Sequence, residues 1–267
     1  MLIPNDEPKL LKDMRRLSAE FPRYGYRRIH QMLLREGWRV NRKRVHRLWR
    51  REGMRVPKKA RKRRPVGNSS NSCVRRKAEH RNHVWSYDFL FDRTEDGRQV
   101  KILGLVDEYT RESICLHPDR SITADDLIGL LSSAMIERGM PKYIRSDNGP
   151  EFAAHAVKDW LESINTDTLF VGPGSPWENA YIESFNSRIR DELLNGELFT
   201  GLPEARYLIE KWRIEYNTIR IHSSLGYQTP SEFAALCAPS DSATLRRRTH
   251  KEPSTQSTAS DITTQVT

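Results

Sequence analysis

The stretch His83–Phe91, HVWSYDFLF, decides how this chain folds. Its residues alternate and are rich in aromatics, as on a strand, and an acid, Asp88, stands in the middle. A carboxylate on an apolar strand is unfavourable unless something such as a metal ion compensates it. Downstream, TEDGRQ supplies an Asp-Gly turn, KILGLVDEYT a second strand and SICLH a third, which predicts an antiparallel meander. SITADDLIGLLSSAMIERGMP predicts a helix with Thr123 and Asp126 as a capping box and a stop at Gly139–Pro141. KYIRS is then a short strand finishing at Asp147. Pro150 opens a helix carrying Phe152, Ala156, Val157, Trp160, Leu161 and Ile164. TDTLFV is another strand, GPGSP a flexible loop, Trp177–Leu194 a long helix and Pro203–Asn217 a last helix. The order βββαβαβα predicts an α/β sheet whose first strands are antiparallel.

Upstream of that stretch the period changes. Leu10, Leu11, Met14 and Leu17 share one face of a helix over Pro8–Glu20. Ile29, Met32, Leu33 and Leu34 predict a second helix, Gly37 stops it, and Asn41 caps a third over Arg42–Glu52. The third buries Val45, Leu48 and Trp49 and presents Arg42, Lys43, Arg44, His46, Arg47, Arg50 and Arg51. Helix, short turn, basic helix is the layout of a helix-turn-helix, whose second helix enters the DNA major groove. A generic three-helix bundle with a basic surface reads the same pattern. The expected organisation is a helix-turn-helix over 1–56, a basic linker over 57–80 containing PKKARKRRP, and an α/β body over 81–236. A tail follows over 237–267; 12 Ser or Thr in its last 29 residues predict disorder.

The charge follows the same division. The 267 residues hold 45 Lys and Arg against 35 Asp and Glu. The first 80 residues carry 25 basic and 7 acidic side chains, the remainder 20 and 28. A basic module on a mildly acidic body points to a polyanion partner, because neutralised phosphates release condensed counterions. No apolar run approaches the roughly 20 residues of a membrane span. Six Trp, eight Phe and nine Tyr exclude a wholly disordered chain. Three cysteines, Cys73, Cys115 and Cys237, make neither a disulfide framework nor a CxxC zinc site. With no secretory pattern at its start, the chain is expected in the cytoplasm, on the nucleoid when bound to DNA.

Three acids stand where catalytic groups commonly sit. Asp88 is mid-strand, Asp147 ends a strand before Asn148-Gly149-Pro150, and Glu183 shares a helix face with Asn179, Asn186 and Arg190. Taken singly, each has an ordinary reading as a turn, strand-end or surface acid. Oxygen ligands of this kind suit magnesium or manganese, and two such ions can drive phosphoryl displacement. Fifty-eight residues separate Asp88 from Asp147, and 35 separate Asp147 from Glu183. Glu151 and Asp107 read as structural. Trp177 and Tyr181 suit either base stacking or core packing.

WSYDF, the SDNGPEF block, the helix PWENAYIESFNSRIRDELL, the 35-residue gap, Arg190 seven after the glutamate and the closing YNTIRIHSSLGYQTP together resemble retroviral-integrase-type transposases of the insertion sequence 3 family. The resemblance covers about residues 10–236 and includes the preceding helix-turn-helix. It implies a ribonuclease-H-like fold and magnesium-dependent cutting of double-stranded DNA at element ends, followed by strand transfer from a 3′-hydroxyl. It also implies Asp88, Asp147 and Glu183 as catalytic metal ligands, a homo-oligomer, and an upstream reading-frame product as fusion partner. One departure stands out: Ile221 occupies the place of an expected proline before His222, which predicts a looser turn. His80 and His83 lack a following CxxC, so no zinc is expected. A repressor that only binds DNA, and a nuclease that cuts without joining, are the rival functions.

Overall fold

A computed structural model describes residues 5–57, 77–146, 155–170 and 179–237. Asp147, Pro150, Glu151, Phe152, the GPGSP loop and Trp177 lie outside the described residues, as do nearly all of the basic linker and the tail beyond Cys237.

Helices α1 (Glu7–Glu20), α2 (Tyr26–Arg35) and α3 (Arg42–Arg51) pack around Leu10, Met14, Leu17, Ile29, Leu33, Val45 and Leu48. Asn41 caps α3 as expected, its side chain accepting from the backbone N–H of Arg44 at 2.7 Å. Leu34, expected inside, is exposed. The buried stripe of α2 includes Ile29, His30 and Leu33, and His30 earns its place by donating from Nε2 to the Val40 carbonyl at 2.9 Å.

The second unit is a five-stranded sheet in the order β3-β2-β1-β4-β5. Its strands are β1 (Val84–Arg93), β2 (Gln99–Asp107), β3 (Ser113–Asp119), β4 (Tyr143–Ser146) and β5 (Asp167–Phe170). The first three form the antiparallel meander, turning at Gly97 with φ +77°, and β4 and β5 add in parallel. Alternation along the strands sends Trp85, Tyr87, Leu103 and Leu105 to one face, against α4 (Ala124–Arg138) and α5 (His155–Ser163). Leu90, Val100, Ile102 and Val106 go to the other, against α6 (Ala180–Ile189) and α7 (Leu202–Thr218). The Thr123–Asp126 capping box on α4 is formed.

Two elements depart from the sequence reading. The long helix expected to run to Leu194 leaves α geometry at Ile189, and Arg190–Leu194 form a π turn. The wider turn inserts one residue, so Leu194 follows Ile189 into the core while Leu193 stays half-buried. A further helix, α8 (Pro230–Leu236), follows α7, started by a Thr229–Glu232 capping box with Pro230 in its first turn.

The two units meet along the RIHSSLGY segment. Ile221 is fully buried in the helical unit's own core, and Tyr227 packs beside it. The residue expected to loosen a turn is an anchor. Arg35 reinforces the seam with a two-pronged pair to Glu232 and a bond to the Tyr227 carbonyl, and Arg23 lies 3.3 Å from Asp191.

Candidate active site

Asp88 occupies the β1 position paired with Gly104 of β2, on the face that α6 covers. A Cβ at residue 104 would stand 3.4 Å from the Phe185 ring and 3.6 Å from Asn186 Oδ1. Glycine therefore leaves room for α6 to rest on the sheet beside the acid, and a branched side chain would push the helix away. Asn186 Nδ2 donates to Asp88 Oδ2 at 2.7 Å, and the Phe89 backbone N–H donates to Oδ1 at 2.8 Å. These two bonds fix the plane of a half-buried carboxylate.

One turn earlier on α6, Glu183 is exposed on the same side. Asp88, Glu183, Asn186, Ser187 and Arg190 line one cleft of about 360 Å³. Three of the four residues predicted to share the polar face of that helix thus meet at the strand acid. Asn179, the fourth, is buried with its Oδ1 unpartnered and is not among the cleft's lining. Arg190, at the start of the π turn, lines the same cleft as both carboxylates.

Strand β4, described as far as Ser146, is held firmly. Arg145 of β4 pairs with Glu108 at 2.7 Å, both almost wholly buried, and the Ser86 hydroxyl of β1 also donates to Glu108. Sequence reasoning missed this clamp, because nothing local links residues 86, 108 and 145. Asp107 is structural, as expected: it accepts backbone N–H groups of Asn82, Tyr109 and Thr110. Burial pushes its carboxyl upward and those donors oppose the push.

The donor set is oxygen only: two carboxylates, and an Asn186 Oδ1 that is buried without a hydrogen-bond partner. Such donors suit a hard divalent cation. Among the described residues no cluster of three His, Cys, Asp or Glu forms a metal cage, and Asp147 lies outside them.

On α3, Arg42, Lys43, Arg47 and Arg50 are exposed. Arg44 departs from the expectation that it faces solvent, being only partly exposed, whereas Arg51 is exposed as expected. Arg44 grips Asp6 with two bonds of 3.0 and 2.6 Å, holding that carboxyl below its usual range. Arg51 bonds Glu7 at 2.7 Å. Both tie α3 to the start of α1. Tyr181 lies under the Arg111 guanidinium, 3.7 Å from the ring centre.

Comparison with known proteins gives a consistent picture. Two integrase core domain families match residues 78–176 and 154–230, and an HTH-like domain family matches residues 4–64. A 39.2 kDa uncharacterized protein of insertion element IS476 from Xanthomonas euvesicatoria is 41% identical over 219 residues, covering 82% of this chain and 62% of that protein. The chain therefore spans less than two thirds of that relative. The 31.7 kDa uncharacterized protein of insertion element IS407 from Burkholderia multivorans is 42% identical, covering 82% of this chain and 78% of its own length. Among solved structures, the simian T-cell lymphotropic virus intasome in complex with PP2A regulatory subunit B56 gamma matches with TM-score 0.53 at 14% identity. That match covers 93% of this chain and 80% of the other, a likeness of fold.

Proposed function

Because this chain belongs to the insertion sequence 3 family of retroviral-integrase-type transposases, we propose that it is a DNA transposase that binds element ends and performs metal-dependent strand cleavage and strand transfer. The observation that carries this reading is the cleft itself, where Asp88 of the sheet and Glu183 of α6 share one wall-to-wall opening. Asp147 is proposed as the third acid. The parallel register supports it: Val84 pairs with Tyr143 and Ser86 with Arg145, so β4, described as far as Ser146, runs alongside β1 in the direction of Asp88.

Asp88, Asp147 and Glu183 would hold two magnesium or manganese ions. When bound, such ions activate an attacking oxygen and neutralise charge on the leaving one. The chain's own residues supply the rest. Asn186 orients the Asp88 carboxylate, and Arg190 at the cleft offers a guanidinium to a DNA phosphate. Exposed Arg42, Lys43, Arg47 and Arg50 on α3 engage the end duplex. Assembly as a homo-oligomer, and association with an upstream reading-frame product, belong to the same proposal. None of the helices is long and apolar enough to cross a membrane among the described residues, and we place the reaction on cytoplasmic DNA.

The test is a joining assay with labelled end duplex, target DNA and magnesium, comparing the parent with Asp147→Asn. Metal-dependent joined products should appear with the parent and vanish in the variant while end binding survives. Cleavage without joining would make the chain a nuclease, and binding without chemistry a repressor.

A further inference from the structure

Four arginines from four separate segments converge where the helical unit meets α6 and the RIHSSLGY segment. Arg220 is buried and bidentate to Glu192, with bonds of 2.7 to 3.1 Å. Its Nη1 also lies 3.3 Å from His222 Nε2, and the Tyr216 ring stands edge-on to His222 at 5.0 Å. Arg28 of α2 lies over Tyr24, 5.1 Å from the ring centre, and Arg111 between β2 and β3 lies over Tyr181. Arg188 of α6 lines a groove beside the cleft together with Glu183 and Ser187.

These guanidiniums are poorly compensated. Glu192 is the carboxylate of the group, and Arg220 already takes both of its oxygens. The guanidiniums of Arg28, Arg111 and Arg188 make no ion pair or hydrogen bond to a carboxylate among the described residues, and Arg111 Nη1 is buried with no partner. The crowding is felt electrostatically. Burial first, then Arg220, Arg28, Arg188 and Arg111, press the His222 imidazole down to about 2, and burial with Arg220 lowers Arg28. Like charges gathered around one committed acid, three of them on aromatic faces, are an incomplete arrangement, and an anion completes it.

Resting on the transposase reading, we propose that Arg28, Arg111 and Arg188, backed by Arg220, seat a phosphodiester group of the bound DNA at the seam between the two units. The planar guanidinium fork fits phosphate oxygens in pairs, and donors from both units would hold one strand against both. Arg28 belongs to the unit that carries α3, and Arg188 sits a little over one turn from Glu183. A backbone held there runs between the reading helix and the cleft.

The experiment is a salt titration of end-duplex binding by the full chain, comparing the parent with Arg28→Gln, Arg188→Gln and Arg188→Lys. Each Gln variant should flatten the slope of log K against log salt by about 0.9, the share of one phosphate contact, and Arg188→Lys should keep the parent slope. Thermal unfolding without DNA should be unchanged in Arg188→Gln, whose guanidinium holds no hydrogen bond among the described residues, so that variant decides the matter if Arg28→Gln fails to fold. Parent-like slopes in both Gln variants would overturn the seat and leave the transposase reading standing. A parent that binds no duplex would overturn both.

Discussion

Replacing Ile221 by alanine should uncouple the two units of the chain. Ile221 is fully buried, and every side chain around it in that core except Tyr227 comes from the helical unit or the segment after it. The substitution removes three carbons, worth about 2.5 kcal/mol of transfer at ~0.8 kcal/mol per methylene, and the cavity left behind brings the loss to roughly 2–5 kcal/mol. The ion pairs along the seam compare poorly. Arg35–Glu232 is solvent-exposed and contributes about 0–1 kcal/mol, and Arg23–Asp191, half-covered at 3.3 Å, adds an interaction of the same order. Docking is therefore governed by apolar packing, with Ile221 as its fully buried side chain and Tyr227 beside it. Urea unfolding followed by tryptophan fluorescence, with limited proteolysis in parallel, should show the variant losing stability in that range and cleaving faster near residues 57–77. Ile189→Ala, also fully buried but inside the catalytic unit, should destabilise without that local sensitivity. A loss below about 1 kcal/mol in Ile221→Ala, or equal proteolysis of both variants, would refute the anchor.

Asn186→Leu should loosen the Asp88 carboxylate, which keeps its Phe89 N–H bond, and lower divalent-ion affinity about 10–100-fold, as loss of a supporting hydrogen bond at a metal site does; calorimetric titration with manganese checks it, and unaltered affinity would remove Asn186 from the site. His222 is held neutral in the folded chain, at about 2, whereas in the unfolded chain it takes a proton below about 6.5. Stability should consequently fall as pH drops from 6.5, by ~1.4 kcal/mol per unit and about 2 kcal/mol by pH 5, and His222→Gln should flatten that dependence in pH-resolved unfolding. On α3, Arg47→Ala and Arg50→Ala should weaken duplex binding and flatten its salt dependence, measured by anisotropy. Arg51→Ala should mainly lower Tm, because it strands the buried Glu7.

Much of this architecture is written locally in the chain. Alternation in HVWSYDFLF, the Asp-Gly turn and the Thr123–Asp126 box act within a few residues of where they sit, and Asn41 announces α3 in the same way. Asp88 and Glu183 were legible as a pair because the helix period puts Glu183, Asn186 and Arg190 on one face, although Asn179 does not reach the cleft. What stayed hidden depends on distant partners. Asp6 and Glu7 claim Arg44 and Arg51 across the helical unit, and Glu108 finds Arg145 across the sheet. No short-range pattern marks the π turn after Ile189. The start of α8 is written just as locally, in Thr229-Pro230-Ser231-Glu232. Ile221 looks like a defect only until the helical unit is seen to close over it.

The most direct trial of the central claim is to load the full chain with ferrous ion, add ascorbate and peroxide, and map where the backbone is cut. Radicals formed at a bound ion cleave within a few ångströms of it. If one divalent-ion site joins Asp88, Asp147 and Glu183, cuts should fall near all three positions together, and excess magnesium should suppress them in parallel. Cuts near one position alone, or cuts that magnesium leaves untouched, would contradict the account.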